Sequence, residues 1–146
     1  MAKSVDGGCG QAKRRNDEHP LVAIIDDDAS VRTSTLRLIR SFGYRAEAFA
    51  SGEEFLTSPL AERTACLVLD VRMPDMDGLE VQRRIIARDF HIPVIFISGR
   101  ASDEEERRAR AAGAVDVLRK PVAAPRLRQL LQNLFEKGDV EDERNG

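Results

Sequence analysis

The 146-residue chain lacks any apolar run long enough to cross a bilayer. Its longest, LVAII at 21–25 and VIFI at 94–97, fall far below the roughly 20 residues that a spanning helix needs. It also lacks an excess of charge of one sign. The 23 Lys and Arg against 25 Asp and Glu give a formal net charge of −2, not the concentrated basic face that nucleic-acid phosphates demand. No charged-then-apolar leader opens the chain, so no secretory signal is expected. Cysteine is scarce: Cys9 sits in a polar stretch and Cys66 in an apolar run, which argues against both a close-spaced metal motif and a disulfide. The two histidines, His19 and His91, stand apart, and neither is supported as a ligand or a base. These absences leave a cytoplasmic domain with no direct nucleic-acid or membrane partner. What is present, 42% hydrophobic and 33% charged residues, suits one core under a well-solvated surface.

Residues 1–19 are polar and Gly-rich around a small basic knot, Lys13–Arg15, and are expected to form a flexible N-terminal tail. Residues 137–146, KGDVEDERNG, are expected to form a disordered C-terminal tail. The domain between them, 20–136, alternates short apolar runs with helical patterns. LVAII (21–25), CLVLD (66–70), VIFIS (94–98) and AVDVL (114–118) have the composition of buried parallel strands, and YRAEAF (44–49) is a weaker fifth. Val31, Thr35, Leu38, Ile39 and Phe42 follow helical spacing up to the stop signal Gly43. SGEE at 51–54 is a capping-box pattern. Leu79, Ile85 and Ile86 mark a third helix, and Leu127, Leu130, Leu131 and Leu134 stripe the last one behind Pro125.

The segment SDEEERRARAA at 102–112 differs in kind. Ser102 and Glu105 form a capping box, and the acidic first turn suits the helix dipole. Asp103–Arg107, Glu104–Arg108 and Glu106–Arg110 are spaced as i,i+4 pairs, each contributing about 0.3 kcal/mol. Its apolar residues are all alanines, so this helix should form locally yet grip the core weakly. It is a candidate moving part.

Strands alternating with helices imply an α/β fold: a five-stranded parallel sheet with helices on both faces. In such sheets the ligand lies at the carboxyl ends of the strands. That rim would collect Asp26, Asp27 and Asp28 from the first strand, Asp70 from the third, Ser98 from the fourth and Lys120 after the fifth. Clustered carboxylates without His or Cys suit a hard cation with oxygen ligands, and Mg²⁺ fits the small donor set. A carboxylate in such a cluster can act as a nucleophile toward phosphorus, giving an aspartyl phosphate. A metal, a lysine and a hydroxyl would stabilise the transferred oxygens. Asp70 is the best nucleophile candidate, because it ends the central strand ahead of the turn-rich MPDMDG.

The set IIDDD, LVLDVRMPDMDGLE, VIFISGR and GAVDVLRKPV strongly resembles the receiver domain of two-component response regulators, with DVRMPDMDG most similar to the FixJ-type branch. The resemblance covers about residues 20–136. It implies the (βα)5 flavodoxin-like receiver fold and a single-domain switch. Asp70 would be the phosphoacceptor. Asp26 and Asp27 would be the acidic pair, with Asp27, Asp70 and the backbone carbonyl of Arg72 on Mg²⁺. Ser98 would take the Ser/Thr switch position, and Lys120 would be the phosphate-binding lysine before a cis Lys120–Pro121 bond. The implied partners are a sensor histidine kinase or phosphotransfer protein, and a downstream protein target on the face formed by helix 4, strand 5 and helix 5. The protein would be a monomer or a phosphorylation-dependent dimer, with self-phosphorylation and slow autodephosphorylation as its only chemistry.

Two departures stand out. The family often has Tyr or Phe three residues before the lysine; here the position is Val117, which shifts the expected switching onto the charged fourth helix. FixJ-type members mostly carry a DNA-binding domain after the receiver, for which this chain has no room, so the receiver of a DNA-binding regulator is the alternative. A phosphatase of the haloacid dehalogenase type is weaker, since it wants a second Asp where Arg72 stands.

Blander readings apply residue by residue. Asp28 is expected to cap the following helix, and Asp75 and Asp77 read as turn residues beside Pro74 and Gly78. Arg72 and Arg100, each two residues past a site residue, are solvated side chains by default and candidate tuners of phosphoryl lifetime.

Overall fold

The computed structural model describes residues 20–145, with side chains through Glu136. The expected N-terminal tail lies outside the described residues. In chain order the elements are β1 (Leu21–Ile25), α1 (Ala29–Ser41), β2 (Arg45–Phe49), α2 (Gly52–Leu56), β3 (Thr64–Asp70), α3 (Gly78–Ala87), β4 (Val94–Ser98), α4 (Asp103–Ala111), β5 (Asp116–Arg119) and α5 (Ala124–Asn145). A short 3-10 turn, Ala61–Arg63, precedes β3; no periodic pattern marks it in the sequence. All strands are parallel in the order β2-β1-β3-β4-β5.

The continuous apolar runs have a direct cause: β1 and β4 are buried at every residue. Side chains alternate between two packed layers. Ala23, Ile25, Leu67, Leu69, Val94 and Phe96 point into one layer with Phe55, Leu56, Leu79, Val81, Ile85 and Ala109 of α2, α3 and α4. Val22, Ile24, Cys66, Val68, Ile95 and Ile97 meet Ile39 of α1 and Leu127, Leu130 and Leu131 of α5 on the other. The Cys66 thiol is fully buried, which pushes its pKa up to about 12 and leaves it inert.

Helix ends follow their local chemistry. Asp28 caps α1, its Oδ1 accepting from the Ser30 and Val31 N–H groups at 2.9 and 3.1 Å. Gly43 closes α1 with φ +100° and Gly113 closes α4 with φ +102°, conformations that suit glycine. The Ala114 N–H bonds back to the Ala109 carbonyl at 3.0 Å, so the first residue of the expected fifth strand finishes a helix instead. The Val115 N–H already reaches the Val94 carbonyl of β4 at 2.8 Å, and β5 runs from Asp116.

The last helix continues to Asn145, through the stretch expected to be a disordered tail. Once the leucine stripe has nucleated it, adding polar residues costs little, because elongation is far easier than nucleation.

α4 matches its expected character: its one buried residue is Ala109. Of the three expected i,i+4 pairs, Glu104–Arg108 forms, while Arg107 and Arg110 find other partners. Glu104 serves both Arg107 and Arg108, at 3.2 and 3.6 Å, whereas Arg110 leaves the helix to reach Asp116 at 2.9 Å. Arg126 of α5 takes the other oxygen of Asp116 at 2.7 Å. Burial alone would raise the pKa of Asp116, but the Val117 N–H and the two guanidiniums hold it below the usual carboxylate range.

Candidate phosphoacceptor site

The carboxyl ends of β1 and β3 lie side by side because these strands pair along their length, Ile25 opposite Leu69. One residue further on, Asp26 and Asp27 therefore meet Asp70. One carboxylate oxygen from each of the three lies within 4.8 Å of the others. Asp26 is fully buried and Asp70 only 4% exposed, while Asp27 faces solvent.

The polar contacts are uneven. Asp26 Oδ1 accepts the Asp28 N–H at 2.9 Å, but Oδ2 is buried without a hydrogen bond. Lys120 Nζ lies 3.2 Å from that oxygen as an ion pair, outside hydrogen-bonding alignment. Lys120 also donates to Asp70 Oδ2 at 3.3 Å, and the Arg72 N–H reaches Asp70 Oδ1 at 3.3 Å. Burial first, and the Asp26 charge second, push the Asp70 pKa from 3.8 up to about 6, against the opposing pull of Lys120 and the Arg72 N–H. For Lys120, burial lowers the pKa, but the Asp26 and Asp70 carboxylates outweigh it and the net shift is upward. The ammonium therefore stays charged between two acids.

A hard cation suits this cradle. The donors are all oxygen, one is buried without a hydrogen-bonding partner, and negative charge exceeds the single lysine that answers it.

Ser98 ends β4, one residue beyond Ile97, the register partner of Asp70. It is buried, and its Oγ accepts the Arg100 N–H at 3.0 Å. Its carbonyl accepts the Lys120 N–H at 2.8 Å, which ties β4 to the lysine loop. The Lys120–Pro121 peptide is cis, as the resemblance implied. Asp77 caps α3 by accepting the Glu80 N–H at 2.9 Å. Val117 is buried in the layer that includes Ala109 of α4, with no ring to rotate.

A family model described as the response regulator receiver domain matches residues 22–132. The chain belongs to the response regulator receiver family. Nodulation protein W of Bradyrhizobium diazoefficiens is 44% identical over 101 residues, 69% of this chain and 44% of that protein. Response regulator protein TmoT of Ectopseudomonas mendocina is 41% identical over 114 residues, 77% of this chain and 52% of its own. The receiver thus spans about half the length of these curated relatives. Among solved structures, one titled FixJ-N is 30% identical with a TM-score of 0.72, covering 80% of this chain and 94% of that one. Among the described residues, no helix of the receiver is long and apolar enough to cross a membrane.

Three residues of the receiver's site escaped sequence reasoning. Arg32 of α1 donates from Nη1 to the Asp26 carbonyl at 2.8 Å, pinning the turn that carries the acids; nothing in the α1 pattern separates it from other polar-face residues. Gly78 lies where a Cβ would stand 2.4 Å from the Asp70 carbonyl and 2.9 Å from the Phe96 ring. Only glycine lets α3 begin so close to the end of β3. Glu105 pairs with Arg72 at 2.7 Å, a contact 33 residues apart in sequence that its capping-box role had concealed.

Proposed function

We propose that the protein is a phosphorylation switch in which Asp70 accepts a phosphoryl group from the phosphohistidine of a sensor kinase or phosphotransfer protein. The observation that carries this reading is the position of Asp70: a nearly buried carboxylate at a strand end, shared between two neighbouring acids and the Lys120 ammonium. An Asp70 oxygen attacks phosphorus, the P–N bond breaks, and the leaving imidazole keeps that electron pair and takes up a proton. Lys120 reaches the acceptor oxygen and is placed to neutralise the phosphoryl oxygens.

Asp27, Asp70 and the backbone carbonyl of Arg72 would hold Mg²⁺ with Asp26 behind them. That ion would supply charge neutralisation for the transferring group. Ser98, at the end of the neighbouring strand, would donate a hydrogen bond from its hydroxyl to the phosphoryl group. The buried position of Val117 and the light anchoring of α4 support an output that works through α4, on the face it forms with β5 and α5, toward a downstream protein. Turnover beyond self-phosphorylation and slow autodephosphorylation is not expected.

Incubation with acetyl phosphate and Mg²⁺ tests the reading. A phosphate-sized mass gain on the wild-type protein, absent from Asp70→Asn, is expected; no gain, or gain retained in the variant, refutes it. A second reading, the receiver portion of a DNA-binding regulator, is favoured by the greater length of the curated relatives.

A further inference from the structure

One contact joins the acceptor loop to the weakly anchored helix. The Arg72 guanidinium, two residues past Asp70, meets Glu105 of α4 at 2.7 Å. The same Glu105 oxygen accepts the Ser102 N–H at 3.0 Å, and the Glu105 N–H donates to Ser102 Oγ at 3.1 Å. A single carboxylate therefore both closes the capping box of α4 and ties its first turn to the acceptor loop. The Ser102 N–H, outweighing the effect of burial, and then Arg72 hold the Glu105 pKa below its ordinary value. The Arg72 side chain is 58% exposed, and its own backbone N–H already touches Asp70 Oδ1.

We propose that Arg72 is shared between two anions: Glu105 holds it while Asp70 is unmodified, and the phosphoryl oxygens draw it away once Asp70 is loaded, releasing the first turn of α4. The inference rests on the phosphoacceptor reading above. A guanidinium presents a planar fork of donors that fits a phosphoryl group bidentately, whereas here it makes one short contact to a carboxylate oxygen already shared with a backbone N–H. The phosphoryl group also brings added negative charge to the site beside which Arg72 is anchored. With Val117 in place of a rotating ring, a charge exchange of this kind gives α4 a direct report of the state of Asp70.

Amide hydrogen exchange across residues 102–111, on the full chain with and without acetyl phosphate and Mg²⁺, tests the proposal. Glu105→Gln keeps a capping-box acceptor but removes the charge that holds Arg72. Arg72→Gln removes the other half. In the unphosphorylated protein each variant is expected to speed exchange in the first turn by about two- to five-fold, the range of an exposed ion pair, and the double variant no further. Phosphorylated wild type should reach the same level, and phosphorylated Arg72→Gln should show no additional change. Unaltered exchange in either unphosphorylated single variant overturns the proposal, as does a full phosphorylation response in Arg72→Gln. Intact-protein mass separates the two levels. A phosphorylated wild type whose α4 ignores Arg72 removes only the sharing, whereas a wild type that gains no mass removes the phosphoacceptor reading and the sharing together.

Discussion

Asp70→Asn should make this protein more stable at neutral pH without metal, although it removes the residue on which the site is centred. The reasoning is electrostatic. Burial and the Asp26 charge raise the Asp70 pKa from 3.8 to about 6, so between these values the folded chain binds more protons than the unfolded one. Stability therefore falls as pH rises from about 4 to about 6, and the deficit persists above that window. A rise of that size corresponds to roughly 3 kcal/mol, most of which should be retained because the group is only 4% exposed. The amide is uncharged throughout, but its single oxygen can accept from Lys120 or from the Arg72 N–H, not from both as the two carboxylate oxygens do. Losing one of these bonds offsets about 1 kcal/mol of the gain. The assay is urea unfolding of both proteins in EDTA from pH 4 to 8. The variant should gain about 1–2 kcal/mol over wild type near pH 7.5, a gain that disappears toward pH 4. Added Mg²⁺ should narrow the gap by stabilising wild type. A variant that is less stable than wild type, by an amount independent of pH, refutes the argument that crowded charge at Asp70 opposes folding.

Other perturbations separate site from scaffold. Asp28→Ala should cost about 1 kcal/mol as a lost helix cap while leaving Mg²⁺ affinity by calorimetry nearly unchanged; Asp27→Ala should do the reverse. Lys120→Met should strengthen Mg²⁺ binding by removing a competing cation, and should destabilise the metal-free protein by about 1–3 kcal/mol because two acids lose their partner; weaker metal binding would count against the competition. Gly78→Ala should cost about 1–3 kcal/mol in chemical denaturation, since its Cβ would press on the Asp70 carbonyl. Leu131→Ala, at a fully buried position facing the sheet, should cost about 2–5 kcal/mol without altering phosphorylation by acetyl phosphate.

The strands and the acidic rim were legible in the sequence for one physical reason. A parallel sheet covered on both faces demands unbroken apolar runs, and Asp26, Asp70 and Ser98 each mark where a run stops. The same logic placed Asp28 as a cap and α4 as a helix with little to bury. Less legible was anything joining distant segments. Spacing rules reach only four residues along a helix, so Arg110 was expected to pair with Glu106 and is instead drawn to Asp116, where a partly buried carboxylate has room for a second arginine. Arg32 on the Asp26 carbonyl and Glu105 on Arg72 are the same kind of contact, set by how elements are brought together. The continued C-terminal helix reflects another limit: composition signals where a helix starts more clearly than where one already formed will stop.

The two-armed grip on Asp116 gives α4 a fixed point. Arg110 near its C-terminal end is tethered to a residue that Arg126 of α5 also holds, while its N-terminal end is fastened through Glu105 to the loop beyond β3. A rod about 13 Å long at 1.5 Å per residue, held by two arginines at one end and by one at the other, would swing rather than slide if the tie to Arg72 were released. The largest displacement would then fall on its acidic first turn, far from the pivot, the end that the exchange proposed for Arg72 would release.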